Sequence, residues 1–304
     1  MSAVKPERLR FGVRRARAGL SRGASLVEVI FVIGIVGVLI SLLLPAINAA
    51  REAARRVDCS NRMRQIALGL VDHKLANRYL PSGTFSDQTA TPWSAWRVRI
   101  LPRLDAPQLY LDSEAQFRLG VPFQSHSGFK TQIANLVCPS DGRIAQPRFG
   151  PRKRYFVALS SFLGVNGTND TNRDGVLFID SRVGDRDIGD GLSQTLMFAE
   201  RPPSTFFDYG WWYAGLGVGR RGTLDHTMGV DETSSNRFAT CPEGPWTANL
   251  RDECSANHFW SLHGDFANAS FCDGAVRTFS FRDEKVASAL ATRWNDEISE
   301  IDSE

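Results

Sequence analysis

The sequence predicts an α+β protein, with a long N-terminal helix that spans a membrane in its first half and one large mixed domain behind it. Three observations carry this. From Val29 to Ala50 there are 22 consecutive uncharged residues, where about 20 apolar residues suffice to cross the hydrocarbon core. Beyond Pro45, good helix formers resume at once and keep a one-sided apolar pattern as far as Asn77. After Leu80, β-branched and aromatic runs alternate with Gly, Asn and Pro turns. The expected division is a leader at 1–23, a transmembrane and amphipathic helix at 24–80, and an extracytoplasmic globular domain at 81–304.

The leader is basic, with seven Lys or Arg and one Glu up to Gly23. A cleaved secretory signal would have a shorter apolar region, about 7–15 residues, and a small-residue site beyond it. Here the small residue, Gly23, precedes the apolar run. Glu28 places a carboxylate at the edge of lipid, which is costly and marks function. Positive-inside bias puts the N-terminus in the cytoplasm and the rest outside, on a single-pass membrane anchor. Without the leader the chain holds 29 basic and 32 acidic residues, so nucleic-acid binding has no electrostatic footprint.

Pro45 is expected to kink the helix without ending it. Cys59, Met63, Ile66 and Leu70 fall on one face, and Leu68, Val71 and Leu75 are expected to widen it. Leu-Pro-Ser-Gly at 80–83 ends the helix near Asn77. Strands are expected at Ile133 to Val137, Tyr155 to Leu163, Val176 to Ile179, Thr195 to Ala199, Tyr209 to Ala214 and Ala269 to Phe281. The stretch after Pro92 reads as a strand or short helix, and the tail from Asp283 as a short helix or frayed end.

Five cysteines, at 59, 138, 241, 254 and 272, face an oxidising compartment on this topology. Cys241 and Cys254 are the preferred disulfide, Cys59 with Cys138 is a second option, and Cys272 reads as a small buried hydrophobe. Asp170, Asn172 and Asp174 alternate before Gly175 like the first half of a calcium loop, with Asp180 available to close the shell, so calcium is the cofactor to consider. The second half of that loop is missing, and a polar turn without metal fits the same residues. His263 with Asp273 reads either as an acid–base pair or as a cross-strand hydrogen bond, with Asp273-Gly274 making a hairpin turn. Cys241, Cys254, His258 and His263 miss common zinc spacing. No nucleophile motif is present, and no enzyme is expected.

The order of basic leader, Gly23, apolar helix, Glu28 and Pro45 resembles the processing signal of type IV pilins and type II secretion pseudopilins. Counted from Ala24, Glu28 is fifth and Pro45 is 22nd; Ala24 stands where that family has Phe or another large apolar residue. The runs C-S-N-R-M-R-Q-I-A-L-G-L from Cys59, W-R-V-R-I-L-P-R-L from Trp96, C-P-S-D at 138–141 and D-G-L-S-Q-T-L from Asp190-Gly191, followed by Glu200, and His263 separated by nine residues from Asp273-Gly274, recur in order. Together they resemble the pilin-like domain of unknown function 1559, with its H-X9-DG element. Gln194 and Cys272 stand where that family usually has Asn and Ala.

The resemblance implies the outer helix packed on an antiparallel sheet, an enlarged C-terminal globular part, processing and methylation by prepilin peptidase, and self-association or assembly with other pilin-like subunits. A structural pilin or pseudopilin subunit is the leading expectation, and a membrane-tethered ligand-binding module is the alternative. Cleavage is expected between Gly23 and Ala24. N-terminal sequencing of the mature chain checks it, and a chain starting at Met1 or beyond Pro45 excludes it.

Overall fold

The computed structural model describes residues 25–86, 94–150, 155–231 and 248–294, so Gly23, Ala24 and Cys241 lie outside the described residues. Two compact units are present, Met1–Ala50 and Arg51–Glu304. In the first, helix α1 (Leu26–Asn77, 52 residues) begins with a capping box. The Ser25 N–H donates to Glu28 Oε2 at 2.8 Å, and the Glu28 N–H donates to Ser25 Oγ at 3.3 Å. The helix runs through Pro45 without a break. Its apolar part is exposed on every side and is long enough to cross a membrane.

Within the second unit, α1 carries a narrow buried seam of Cys59, Met63, Ile66, Ala67, Leu70 and Lys74. Leu68 and Leu75 do not widen it, being 60% and 73% exposed. At 100° per residue, Leu68 points about 200° away from Ile66, and the seam admits only the i, i+3, i+4 positions. Gly69 lets the helix approach Ile100, whose Cβ lies 3.4 Å from where a Gly69 Cβ would stand. The helix stops at Asn77, and Arg78 takes a left-handed φ of 70°.

Short helices follow: α2 (Trp96–Arg99), α3 (Pro107–Arg118) and α4 (Ser127–Lys130). A two-stranded ribbon pairs β1 (Arg148–Phe149) with β2 (Phe156–Val157). The main sheet holds β3 (Phe162–Val165), β4 (Leu196–Glu200), β5 (Thr227–Met228), β6 (Ala267–Phe271) and β7 (Val276–Phe279), in the order β5-β3-β4-β6-β7. All pairs are antiparallel except β3 with β5. Helix α5 (Glu284–Ala291) closes the described chain, capped by Asp283.

The strand expectations for 133–137 and 209–214 are not met. The first is a 3₁₀ turn at Ala134–Leu136, and the second makes only isolated bridges from Trp211 and Ala214. Their backbone groups find other partners: Arg62 donates to Ala134 O at 2.7 Å and to Val137 O at 3.0 Å, and the N–H groups of Gly210 and Trp211 donate to Asp225 Oδ1 at 3.2 and 3.4 Å. Likewise Val176 to Ile179 forms no named strand, although Val176 and Leu177 are fully buried. Trp211, Trp212 and Tyr213 are buried in the core, whereas Phe206, at the start of the same aromatic run, is exposed.

Central strand β4 is buried along its whole length, so alternate residues serve two cores. Leu196 and Ala199 join one, while Met197 and Phe198 join the core that also holds Cys59, Met63 and Ile66. A register shift against β6 between Leu196 and Phe198 accounts for the two successive residues on one side. From Phe198 the alternation returns, and it brings Glu200 to Cys59 on α1.

Ile66→Ala should cost about 2–5 kcal/mol, as for a large aliphatic side chain removed from a packed core. Leu68→Ala should stay within about 0.5 kcal/mol. Denaturant unfolding of the detergent-solubilised chain, followed by tryptophan fluorescence, checks both.

Candidate functional site

Four segments distant in sequence meet under α1. Cys59 comes from the helix, Cys138 from the turn after the 3₁₀ segment, Glu200 from the end of β4 and His263 from the loop before β6. All four are buried, and one sulfur, nitrogen or oxygen from each lies within 4.8 Å of every other. The Cys59 thiol contacts Glu200 Oε1 at 2.6 Å, and Cys138 Sγ lies 3.3 Å from His263 Nε2. His263 Nε2 is 3.8 Å from Glu200 Oε1.

A second layer holds these groups in place. His263 Nδ1 donates to Glu52 Oε1 at 2.7 Å across 211 residues. Glu52 is itself bonded by Arg55 Nε at 2.8 Å and Ser140 Oγ at 3.1 Å. Arg56 donates to the His263 carbonyl at 2.6 Å, and the His263 N–H donates to Ser261 Oγ at 3.1 Å. The Asn268 N–H donates to Glu200 Oε2 at 2.8 Å, and the Cys138 N–H donates to Ser161 Oγ at 2.9 Å.

Charge inside the cluster follows from these contacts. The Cys59 thiol, bonded to Cys138, buried and beside Glu200, is pushed far above the ordinary thiol range and keeps its proton. Cys138 accepts from Cys59 and, although burial opposes it, also from His263, and is pulled down to about 6. Burial disfavours a charged His263, but its bonds to Cys138 and Glu52 outweigh that and hold it up at about 9. Burial alone would raise Glu52, and the hydrogen bonds from His263, Arg55 and Ser140 outweigh it, leaving the carboxyl below its usual range.

The expected pairing of His263 with Asp273 is therefore corrected. Asp273 accepts from the Ala275 N–H at 2.8 Å and from Arg277 at 3.3 Å. With Gly274 at φ 87°, it makes the β6–β7 turn. The carboxylate on Nδ1 is Glu52, which sequence reasoning missed. Its one signal was position, two helical turns before Cys59 on the same face. Asp190 and Gly191 form the turn that launches β4: Gly191 has φ 94°, and its carbonyl accepts from the Gln194 N–H at 3.0 Å.

Cys254 is disulfide-bonded, which removes it from the quartet with Cys241, His258 and His263. Cys59 and Cys138 are free, and so is the fully buried Cys272. At the expected calcium loop, Asp174 Oδ1 accepts from the Thr168 N–H at 2.8 Å and Oδ2 from its hydroxyl at 2.7 Å. Asp170 faces Arg221 at 3.5 Å, and Asn172 Nδ2 donates to Thr168 Oγ1 at 2.8 Å. Asp180 turns instead to the N–H and hydroxyl of Ser86. Calcium in this loop would have to displace those donors.

An α+β domain carried behind an apolar helix, with a buried thiol–imidazole–carboxylate cluster beneath that helix, is the class of protein these features define. The chain belongs to the family described as protein of unknown function DUF1559, whose model matches residues 48–282. No curated protein and no solved structure matches it. Cys59, Cys138, Glu200 and His263 all fall in the matched stretch.

Asp174→Ala should destabilise by about 1–3 kcal/mol through the two orphaned Thr168 donors. Thermal melts of this variant and the parent, each with calcium and with chelator, separate that loss from any calcium-dependent shift.

Proposed function

We propose that the protein is a pilin-like or pseudopilin-like structural subunit, processed and methylated by prepilin peptidase and held in the inner membrane by one helix. The N-terminus is cytoplasmic, the globular domain is periplasmic or at the cell surface, and the assembly is linked to type II secretion or type IV pili. The observation that carries this reading is α1. One uninterrupted helix joins an apolar half with no buried surface to a half whose seam is sealed in a core. An apolar surface of that extent needs lipid or neighbouring helices.

Glu28 completes the argument. Its carboxylate caps the helix through Ser25 in the single chain, and in an assembly away from water it requires a compensating charge. The free amine of Ala24 on a neighbouring subunit supplies one.

A second reading, a tethered module that binds an external ligand, is favoured by one feature of the domain. A cleft of about 530 Å³ is lined by Arg99, Arg103 and Arg182 with Tyr79, Phe85 and Tyr110. Cationic and aromatic walls together suit an anionic or sugar-like group.

Electron microscopy of sheared surface material, with the protein identified in any filaments, distinguishes the two. Glu28→Leu should leave membrane insertion intact and abolish co-assembly with wild type. Undiminished co-assembly would remove the Glu28 contact from the mechanism.

A further inference from the structure

We propose that Cys59, Cys138, Glu200 and His263 form a closed four-ligand site for zinc that pins α1 to the central strand of the sheet. The donor set is two sulfurs, one imidazole nitrogen and one carboxylate oxygen, which suits this borderline-soft ion. Zinc bonds of about 2.3 Å to sulfur and 2.0–2.2 Å to nitrogen or oxygen, at tetrahedral angles, separate the donors by about 3.3–3.8 Å. The Cys138–His263 and His263–Glu200 separations of 3.3 and 3.8 Å lie in that range. The Cys59–Glu200 pair at 2.6 Å is closer, and a bound ion would open it.

Two further observations point to a cation. Glu200 is 1% exposed, and among the described residues its side chain meets no Lys or Arg, only Cys59, the Asn268 N–H and His263. The nearest positive group is the His263 imidazole, 3.8 Å away; a buried carboxylate is expensive without close compensation, and a divalent ion bonded directly to it supplies that charge. In addition, Glu52 takes Nδ1–H of His263, which turns Nε2 towards the sulfurs. A carboxylate on the far nitrogen is the arrangement that orients zinc-bound histidines. Metal binding releases the protons on Cys59 and on Nε2, leaving two thiolates, a carboxylate and a neutral imidazole around the ion.

Two other uses of the same atoms fit less well. Cys138, His263 and Glu52 have the order of a thiol–imidazole–carboxylate triad, but Cys138 is 3% exposed and His263 8%, which leaves no approach for a substrate. A Cys59–Cys138 disulfide would leave Glu200 still unbalanced, and both thiols are free although Cys254 in the same chain is disulfide-bonded.

The test uses the full-length chain purified in detergent with its native metal retained. Plasma mass spectrometry should find one zinc per chain. Exchange into cobalt should give the visible bands of a tetrahedral ion and a thiolate-to-cobalt charge-transfer band. Glu52→Gln, whose side chain does not touch the ion, should keep one zinc per chain and weaken affinity by about 10–100-fold in chelator competition. Cys59→Ser should lose the metal.

A folded wild-type chain that binds no more zinc than the Cys59→Ala/Cys138→Ala double variant overturns the site. So does a Cys59–Cys138 disulfide in non-reduced peptide maps of freshly isolated protein. Stoichiometric alkylation of Cys138 in the native, metal-replete chain also overturns it, in favour of an accessible nucleophile.

Discussion

The contact between Cys59 and Glu200 is the constraint on which the domain is built. A carboxylate at the end of the middle strand is costly to bury, and four elements must arrive together to accommodate it. The β4 register shift brings Glu200 to the helix side, and the seam of α1 brings Cys59 opposite it. The loops bearing Cys138 and His263 close the remaining sides. These segments are far apart in sequence, so the cluster exists only when helix, loops and sheet are all in place. In chains that make such a pocket, anything that binds the folded state alone stabilises the whole arrangement.

The other buried charges are handled differently. Arg97 is fully buried, with its two Nη groups on carbonyls, Asp225 O at 3.3 Å, His226 O at 3.4 Å and Phe162 O, while among the described residues its Nε has no hydrogen-bond partner. Arg201, also fully buried, donates through Nη2 to Leu224 O, and among the described residues its Nε and Nη1 have no hydrogen-bond partner. Burial pulls Arg97 down to about 9 and Arg201 to about 10, so both remain charged at neutral pH. Burial pushes Asp225 up to about 7, against the N–H groups of Trp211, Gly217 and Gly210 and the charge of Arg201. Backbone dipoles therefore solvate this second polar knot and lock the segment from Gly210 to His226 onto β3. Among the described residues the Glu200 carboxylate receives a single backbone N–H, that of Asn268.

Much of this was legible in the sequence, because periodic patterns report burial directly. The seam of Cys59, Met63, Ile66 and Leu70 and the helix end at Asn77 are written in a 3.6 period and a Pro-Gly stop. Leu68 and Leu75 were misjudged because apolar identity alone does not say which side of a helix is covered. The segments at 133–137 and 209–214 look like strands by composition. They are loops whose backbone groups bond to side chains such as Arg62 and Asp225, partners that no local pattern reveals. The site was half legible. Each of Cys59, Cys138, Glu200 and His263 sat in a recognisable motif, yet nothing local says that four motifs converge, and H-X9-DG invited the nearer Asp273 in place of Glu52.

Helix α1 also changes character along its length, from an apolar run exposed on every side to a half with a buried seam, and the residues just past that change are put to use. Arg51, Glu52, Arg55 and Arg56 follow the apolar run directly, where charged side chains ordinarily remain in water or among headgroups. Two of them also reach the domain: half-buried Glu52 holds the His263 imidazole, and Arg56, still exposed, donates to its carbonyl. Arg55 then offsets Glu52 at 2.6 Å. The loop before β6 is thus fastened to the first turns of the domain-held helix by charge-assisted bonds, which are stronger than neutral ones. Rotation of these turns about the helix axis would break them and carry Cys59, two turns further on, away from Glu200. The same few contacts that orient the imidazole therefore also fix the rotation of the helix against the sheet, and buried apolar side chains alone, being non-directional in their attraction, do not define that angle.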